Sequence, residues 1–197
     1  MENPLKSTIR NQIRQSADNF MAMSADEELL ECVGVVASAC VGALRNGNKV
    51  LFAGNGGSAA DSQHLAGELV SRFYYDRPGL PSFALTTDTS VLTAIGNDYG
   101  YERLFARQIE AVGVAGDIFF AISTSGNSPN ILEAIRTARE KGLITVGMTG
   151  SNGGDLAGLC DHCLRVPSDA TPRIQEGHIL LGHTVCQMIE AELFPKS

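Results

Sequence analysis

The spacing of hydrophobic positions changes once along this chain, near Gly47. Before it, "IRNQIRQSADNFMAM" (9–23) and "DEELLECVGVVASACVGALRNG" (26–47) carry apolar residues three and four apart. That is the period of one helix face, so the first 47 residues predict two helices and no strand. Ser24 is placed to cap the second, with Glu27 three positions on as in a capping box, and Gly47 to end it. After Gly47 short apolar runs alternate with helix-like segments. The runs are "KVLFAG" (49–54), "SFALTT" (82–87), "DIFFAIS" (117–123), "LITVGMTG" (143–150) and "HCLRVP" (162–167). Helical spacing fills 58–73, 88–111 with a break near Gly96–Gly100, 128–141, a short piece near 153–159 and a long one over about 172–193. Strands alternating with helices form βαβ units with right-handed crossovers and a mostly parallel sheet. The predicted fold is α/β, a doubly wound three-layer αβα sandwich preceded by two N-terminal helices. No repeat or long linker divides it. We read residues 1–197 as one domain, with 1–47 a helical extension and 48–197 the αβα core. The first helix has an apolar stripe that no nearby strand covers; a partner subunit and its own domain are both open as its cover.

Composition narrows the function. Hydrophobic residues make up 44% and charged residues 19%, a globular balance. The net charge of -7, from 15 Lys+Arg and 22 Asp+Glu, argues against nucleic acid as a partner, which needs a basic face. A small anion can still be held by backbone dipoles. The apolar runs are too short to span a bilayer, and "MENPLKSTIRNQIRQSADNF" has no apolar core of the kind a secretory signal carries. The five cysteines, Cys32, Cys40, Cys160, Cys163 and Cys186, are odd in number and scattered, which fits free thiols in the cytoplasm. Cys160 and Cys163 form a C-x-x-C in "LCDHC", read here as two small apolar residues where a loop enters a strand.

Two loops carry the candidate chemistry. The first strand runs into "GNGGS" (54–58), where glycines let backbone N–H groups approach a ligand at the positive end of the next helix. Gly54, Gly56 and Ala59 also fit the dinucleotide fingerprint, but the acidic residue it needs at the end of the next strand is missing, since Asp88 comes too late. No nucleotide cofactor is expected. The second loop, "AISTSGNSPN", offers the hydroxyls of Ser123, Thr124, Ser125 and Ser128. Ser128 stands at an N-cap position and Pro129 at the first helical position. A hydroxyl-lined loop feeding a helix N-terminus suits a phosphate held by neutral donors.

"AGNGGSAADSQHLAGE", "LTTDTSVLTAIGNDYGYE", "STSGNSPNIL" and "RIQEGHILLGH" together resemble the sugar isomerase (SIS) family over nearly the whole chain. The resemblance implies a flavodoxin-like SIS domain, a homotetramer with sites at subunit interfaces, and aldose–ketose isomerisation of sedoheptulose 7-phosphate to D-glycero-D-manno-heptose 7-phosphate. It implies substrate contacts at Asn55, Gly56, Gly57, Asn97 and Asp98, and phosphate contacts at Ser123, Thr124, Ser125 and Ser128. Glu68, Gln175 and His183 would lie at the reacting carbons. In zinc-binding members the ligands correspond to His64, Glu68, Gln175 and His183.

Read as residues alone, His64 and Glu68 are four apart and share one helix face. Gln175 and His183 are eight apart, about 12 Å along a straight helix, so they converge by leaning together or serve different subunits. Such chemistry needs a base for a carbon-bound proton and an acid at the oxygens; Glu68 is the expected base and His183 its acid partner. Asp61 and Asp169 are lesser, supporting candidates, and His178 a surface or packing histidine. The alternative reading is a non-catalytic SIS protein that binds the replication initiator; the resemblance implies that such a protein lacks the acidic residue and the histidine found here at positions 68 and 183.

Overall fold

The structure is a computed structural model and describes residues 3–196. Two helices, α1 (Pro4–Ser24) and α2 (Glu27–Arg45), lead into β1 (Val50–Gly54) and α3 (Gly57–Val70). Then come β2 (Ser82–Ala84), α4 (Thr89–Asp98), a 3₁₀ turn at Tyr101–Arg103, α5 (Ala106–Val112) and β3 (Ile118–Ile122). The chain ends with α6 (Pro129–Glu140), β4 (Ile144–Thr149), α7 (Leu156–Leu159), β5 (His162–Arg165) and α8 (Thr171–Leu193). All five strands run parallel in the order β2-β1-β3-β4-β5, the flavodoxin-like arrangement. Each predicted strand run and helix is present.

Both sheet faces are covered, so the central strands are apolar throughout instead of alternating. Val50, Phe52, Ile118, Phe120 and Ile122 face α2, α3 and α8, while Leu51, Ala53, Phe119 and Ala121 face α4, α5, α6 and α7. α2 therefore forms part of one outer layer. α1 lies outside it. It buries only Asn19 and Met23, and Arg173 at the start of α8 tethers it by donating to the Gln12 carbonyl at 2.6 Å and to Ser16 Oγ. The cap of α2 differs from expectation. Asp26, not Ser24, accepts from the Leu29 N–H at 3.0 Å, and Ser24 still belongs to α1, its hydroxyl donating to the Met21 carbonyl. Gly47 follows the helix end with φ of 81°, its N–H donating to the Leu44 carbonyl, as expected of a terminating glycine.

α3 and α8 pack side by side in the same direction. Their contacts advance together: Gln175 on Gly57, Leu65 under Gly182, His64 beside His183, and the Phe73 N–H just beyond α3 on Glu190. A buried ion pair locks the far end. Glu190 accepts from Arg77 Nε at 3.1 Å and from the Phe73 and Tyr74 N–H groups at 2.8 and 2.7 Å. The same guanidinium donates to the carbonyls of Glu68, Leu69, Ser71 and Pro78. Burial pushes the Glu190 carboxyl up, but the two N–H groups and Arg77 outweigh it and leave it below the usual carboxylate range.

Removing one partner of a buried, fully bonded pair strands the other. Arg77→Ala should cost about 3–5 kcal/mol in urea unfolding, whereas Arg107→Ala, at a half-exposed pair, should cost about 0–1 kcal/mol. Because the folded carboxyl is depressed, the Glu190 contribution is full above the unfolded carboxylate value and is lost as pH falls through the folded one. Glu190→Gln should flatten that acid limb of stability against pH; an unchanged limb would refute the assignment.

Candidate active site

The strand order reverses between β1 and β3, each of which sends its crossover the opposite way. Ligands of open α/β sheets bind at such a switch, beyond the carboxyl ends of the strands. Gly54 and Ile122, the last residues of β1 and β3, are register partners there, so both candidate loops leave the sheet at one point. In the first loop Gly56 takes φ of 56° and α3 begins at once with Gly57. A side chain at Gly57 would collide with the amide of Gln175.

The second loop folds around its hydroxyls. Ser123 Oγ lies 3.0 Å from Ser128 Oγ and 3.5 Å from Ser125 Oγ, and Ser125 Oγ accepts from the Asn127 N–H at 3.1 Å. Ser128 is the N-cap of α6 and Pro129 its first residue, yet the Ser128 side chain makes no capping bond. The positive end of α6 is thus left for an anion. Thr124 and Ser125 open onto a cavity of about 220 Å³, with Gly150, Asn152 and Asp169 on its wall. Asp169 accepts from the Ser151 hydroxyl.

The two loops are tied by a reciprocal amide pair. Asn55 donates to Asn130 at 2.9 Å, Asn130 donates back at 2.8 Å, and the Tyr101 hydroxyl donates to Asn55 Oδ1 at 3.0 Å. Beside this pair a cavity of about 350 Å³ runs between the glycine loop and α4, past Ala59, Thr86, Leu92 and Gly96. Asn97 and Asp98, at the end of α4, are exposed and hydrogen-bonded to each other at 2.8 Å. Asn130 and Tyr101 were missed in the sequence. An asparagine in the first turn of a helix reads as a weak helix former, and nothing local reveals its partner 75 positions away.

Along α3, His64 and Glu68 meet His183 of α8. His64 Nε2 is 2.8 Å from His183 Nε2 and 3.1 Å from Glu68 Oε1, and the three donor atoms lie within 4.8 Å of one another. Burial lowers the His183 imidazole below its usual range and the His64 charge adds to this, against the pull of Glu68. Phe73 packs on the His183 ring with centroids 5.6 Å apart, held there by its N–H bond to Glu190. Two imidazoles and one carboxylate are the donor set of a three-ligand catalytic metal site, so the trio is compatible with a metal ion. Gln175 is not brought into it within this chain. It stands on the same helix about 12 Å nearer the loops, against Gly57. Asp61, one turn before His64, has a buried Oδ2 without a partner among the described residues, and burial raises its carboxyl. His178 is a packing histidine, fully buried with Nε2 at 3.1 Å from the Thr149 carbonyl, and burial lowers it to about 4. All five cysteines are free.

A family model described as SIS domain matches residues 8–150. The phosphoheptose isomerase of Aneurinibacillus thermoaerophilus is 60% identical over 186 residues, 94% of each chain. That of Burkholderia pseudomallei (strain 1710b) is 58% identical over 196 residues, 100% of each chain. The structure of the phosphoheptose isomerase of Neisseria gonorrhoeae superposes with a TM-score of 0.89 at 41% identity, covering 95% of this chain and 99% of that one.

The Asn55–Asn130 link gives a prediction. Asn130→Leu leaves the Asn55 amide short of partners and should destabilise by about 1–3 kcal/mol. Changing both residues should cost less than the sum of the single changes. Additive losses in a double-mutant cycle of unfolding free energies would show that the two loops are not coupled through this pair.

Proposed function

The chain belongs to the SIS-domain family, among the phosphoheptose isomerases, and from that premise we propose how its residues divide the work of converting sedoheptulose 7-phosphate to D-glycero-D-manno-heptose 7-phosphate. It is an isomerase of a phosphosugar, at the first step toward the activated heptose of bacterial surface polysaccharide. The observation that carries the division is the meeting of Glu68, His64 and His183 on two parallel helices, α3 leaving the glycine loop and α8 beginning at the cavity onto which Thr124 and Ser125 open. The relatives named above are isomerases and lend no support to the initiator-binding alternative.

The phosphate is taken by Ser123, Thr124, Ser125 and Ser128 with the N-terminus of α6. No Lys or Arg lies within that loop, so the anion is held by neutral donors and released after turnover. Asn55, Gly56 and Gly57 bind the sugar from the glycine loop, Gln175 of α8 joins them from beside Gly57, and Asn97 and Asp98 complete the substrate contacts. Glu68 removes the C1 proton of the ketose and returns it to C2, through an enediol. His183, whose neutral form is favoured by its surroundings, hands protons between O1 and O2. His64, Glu68 and His183 would hold zinc, with Gln175, which within one chain rests against Gly57, reaching the ion as a fourth donor from a neighbouring subunit. When bound, zinc would supply Lewis-acid polarisation of the substrate carbonyl. Ligation and proton abstraction compete for Glu68.

Residues 1–197 act as one SIS domain, 1–47 serving as its helical extension. The working assembly is a homotetramer, a reading supported by the strongly exposed Leu5, Ile9 and Ile13 on one face of α1. Among the described residues no helix is long and apolar enough to cross a membrane, and we place the enzyme in the cytoplasm.

The decisive experiment is turnover of sedoheptulose 7-phosphate by Glu68→Gln. The variant should unfold at the native temperature while kcat falls by about 10²–10⁴; near-native turnover would remove Glu68 as the base. Ser125→Ala with Ser128→Ala should raise KM more than it lowers kcat, and unchanged KM would remove the phosphate assignment. A chelator should abolish turnover, with zinc restoring it; full activity of demonstrably metal-free enzyme would exclude the metal role.

A further inference from the structure

A second cluster of reactive side chains lies away from this site, at the β5 edge of the sheet. Cys160 ends α7 and Cys163 is the second residue of β5. Both sulfurs sit over the bare Cα of Gly147 on β4: a methyl group there would meet Cys160 Sγ at 2.9 Å and Cys163 Sγ at 3.4 Å. Glycine at that position is what lets the two sulfurs share one seat. The two thiols are therefore neighbours on one seat. Thr149 Oγ1 is 3.8 Å from Cys163 Sγ, and Arg165 follows on the same strand. The pair is polarised in one direction. The adjacent Cys160 thiol and the Arg165 charge draw the Cys163 thiol below its ordinary value against burial, while Cys160 is raised and keeps its proton. Cys40 and Cys186 are buried, and burial raises both. Cys160 and Cys163 are only half-buried. A stabilised thiolate beside a second thiol, neither residue fully buried, meets the requirements of thiol–disulfide exchange.

We propose that Cys160 and Cys163 form a thiol–disulfide exchange site for low-molecular-weight disulfides, with Cys163 as the attacking thiolate and Cys160 as the resolving thiol. Cys163 Sγ attacks one sulfur of the small disulfide, a Cys163 mixed disulfide forms, and the other half leaves as a thiolate. Cys160 then gives up its proton to solvent or to that thiolate and attacks Cys163 Sγ. A second small thiol is released and the Cys160–Cys163 disulfide remains. The protein dithiol is oxidised by two electrons and the small disulfide is reduced by two. The C-x-x-C that reads in the sequence as a packing pair gains this chemistry from the seat that Gly147 leaves on the neighbouring strand.

Oxidised glutathione with the full-length native protein, followed by a non-reducing peptide map, tests this. The wild type should yield a Cys160–Cys163 linked peptide that dithiothreitol reverses, and Cys160→Ser should instead accumulate glutathione on Cys163. A separate measurement on unmodified wild type needs no variant: iodoacetamide at pH 7 should alkylate Cys163 about tenfold faster than Cys32. Alkylation of Cys163 no faster than Cys32 would overturn the thiolate assignment. A wild type that stays glutathionylated on Cys163 without closing the link would overturn the resolving role of Cys160.

Discussion

The same-direction packing of α3 and α8 is the constraint on which the site depends. His64 and Glu68 stand on one helix and His183 on the other, so their separation is set by how closely the two axes approach and in what register. Two glycines permit the approach, Gly57 against Gln175 and Gly182 against Leu65. At the far end Arg77 and Glu190 fix the register. The guanidinium gathers the carbonyls where α3 ends, and the carboxylate holds the N–H groups that place Phe73 on the His183 ring. A buried pair of this kind gains little over an apolar pair of equal volume. Its value here is directional, because it specifies one alignment where apolar packing would tolerate several.

The sheet contributes the other half of the geometry. Reversal of the strand order at β1 and β3 opens a crevice, and the two loops that leave it are joined across the gap by Asn55 and Asn130. Each amide satisfies the other, so neither loop pays desolvation for a dangling polar group. The second loop offers hydroxyls and an uncapped α6 terminus, Ser128 turning its hydroxyl to Ser123 instead of capping its own helix.

Much of this was legible in order along the chain. The switch from helical to alternating spacing at Gly47, the five apolar runs and the Ser128–Pro129 helix start are local signals, and local physics reads them. The α2 cap shows the limit. Ser24 and Asp26 are both good N-cap residues two positions apart, and which one acts depends on how far α1 continues. The docking of Asn19, Met23 and Arg173 carries α1 through Ser24 and leaves the cap to Asp26. Glu190 was legible only as an anomaly, an acidic residue on the apolar stripe of α8 beside Ile189 and Cys186.

The sequence by itself determined the fold class, the places of the glycine-rich and hydroxyl-rich loops and the pairing of His64 with Glu68, because each rests on spacing within one element, and helix and strand periods are properties of the backbone. Only the tertiary structure decided that His183 joins them, that Gln175 rests against Gly57, that Asn130 answers Asn55, and that Arg77 finds Glu190. Those contacts join residues tens to more than a hundred positions apart, and their geometry is set by how whole helices lie on a twisted sheet, which no local window of sequence contains.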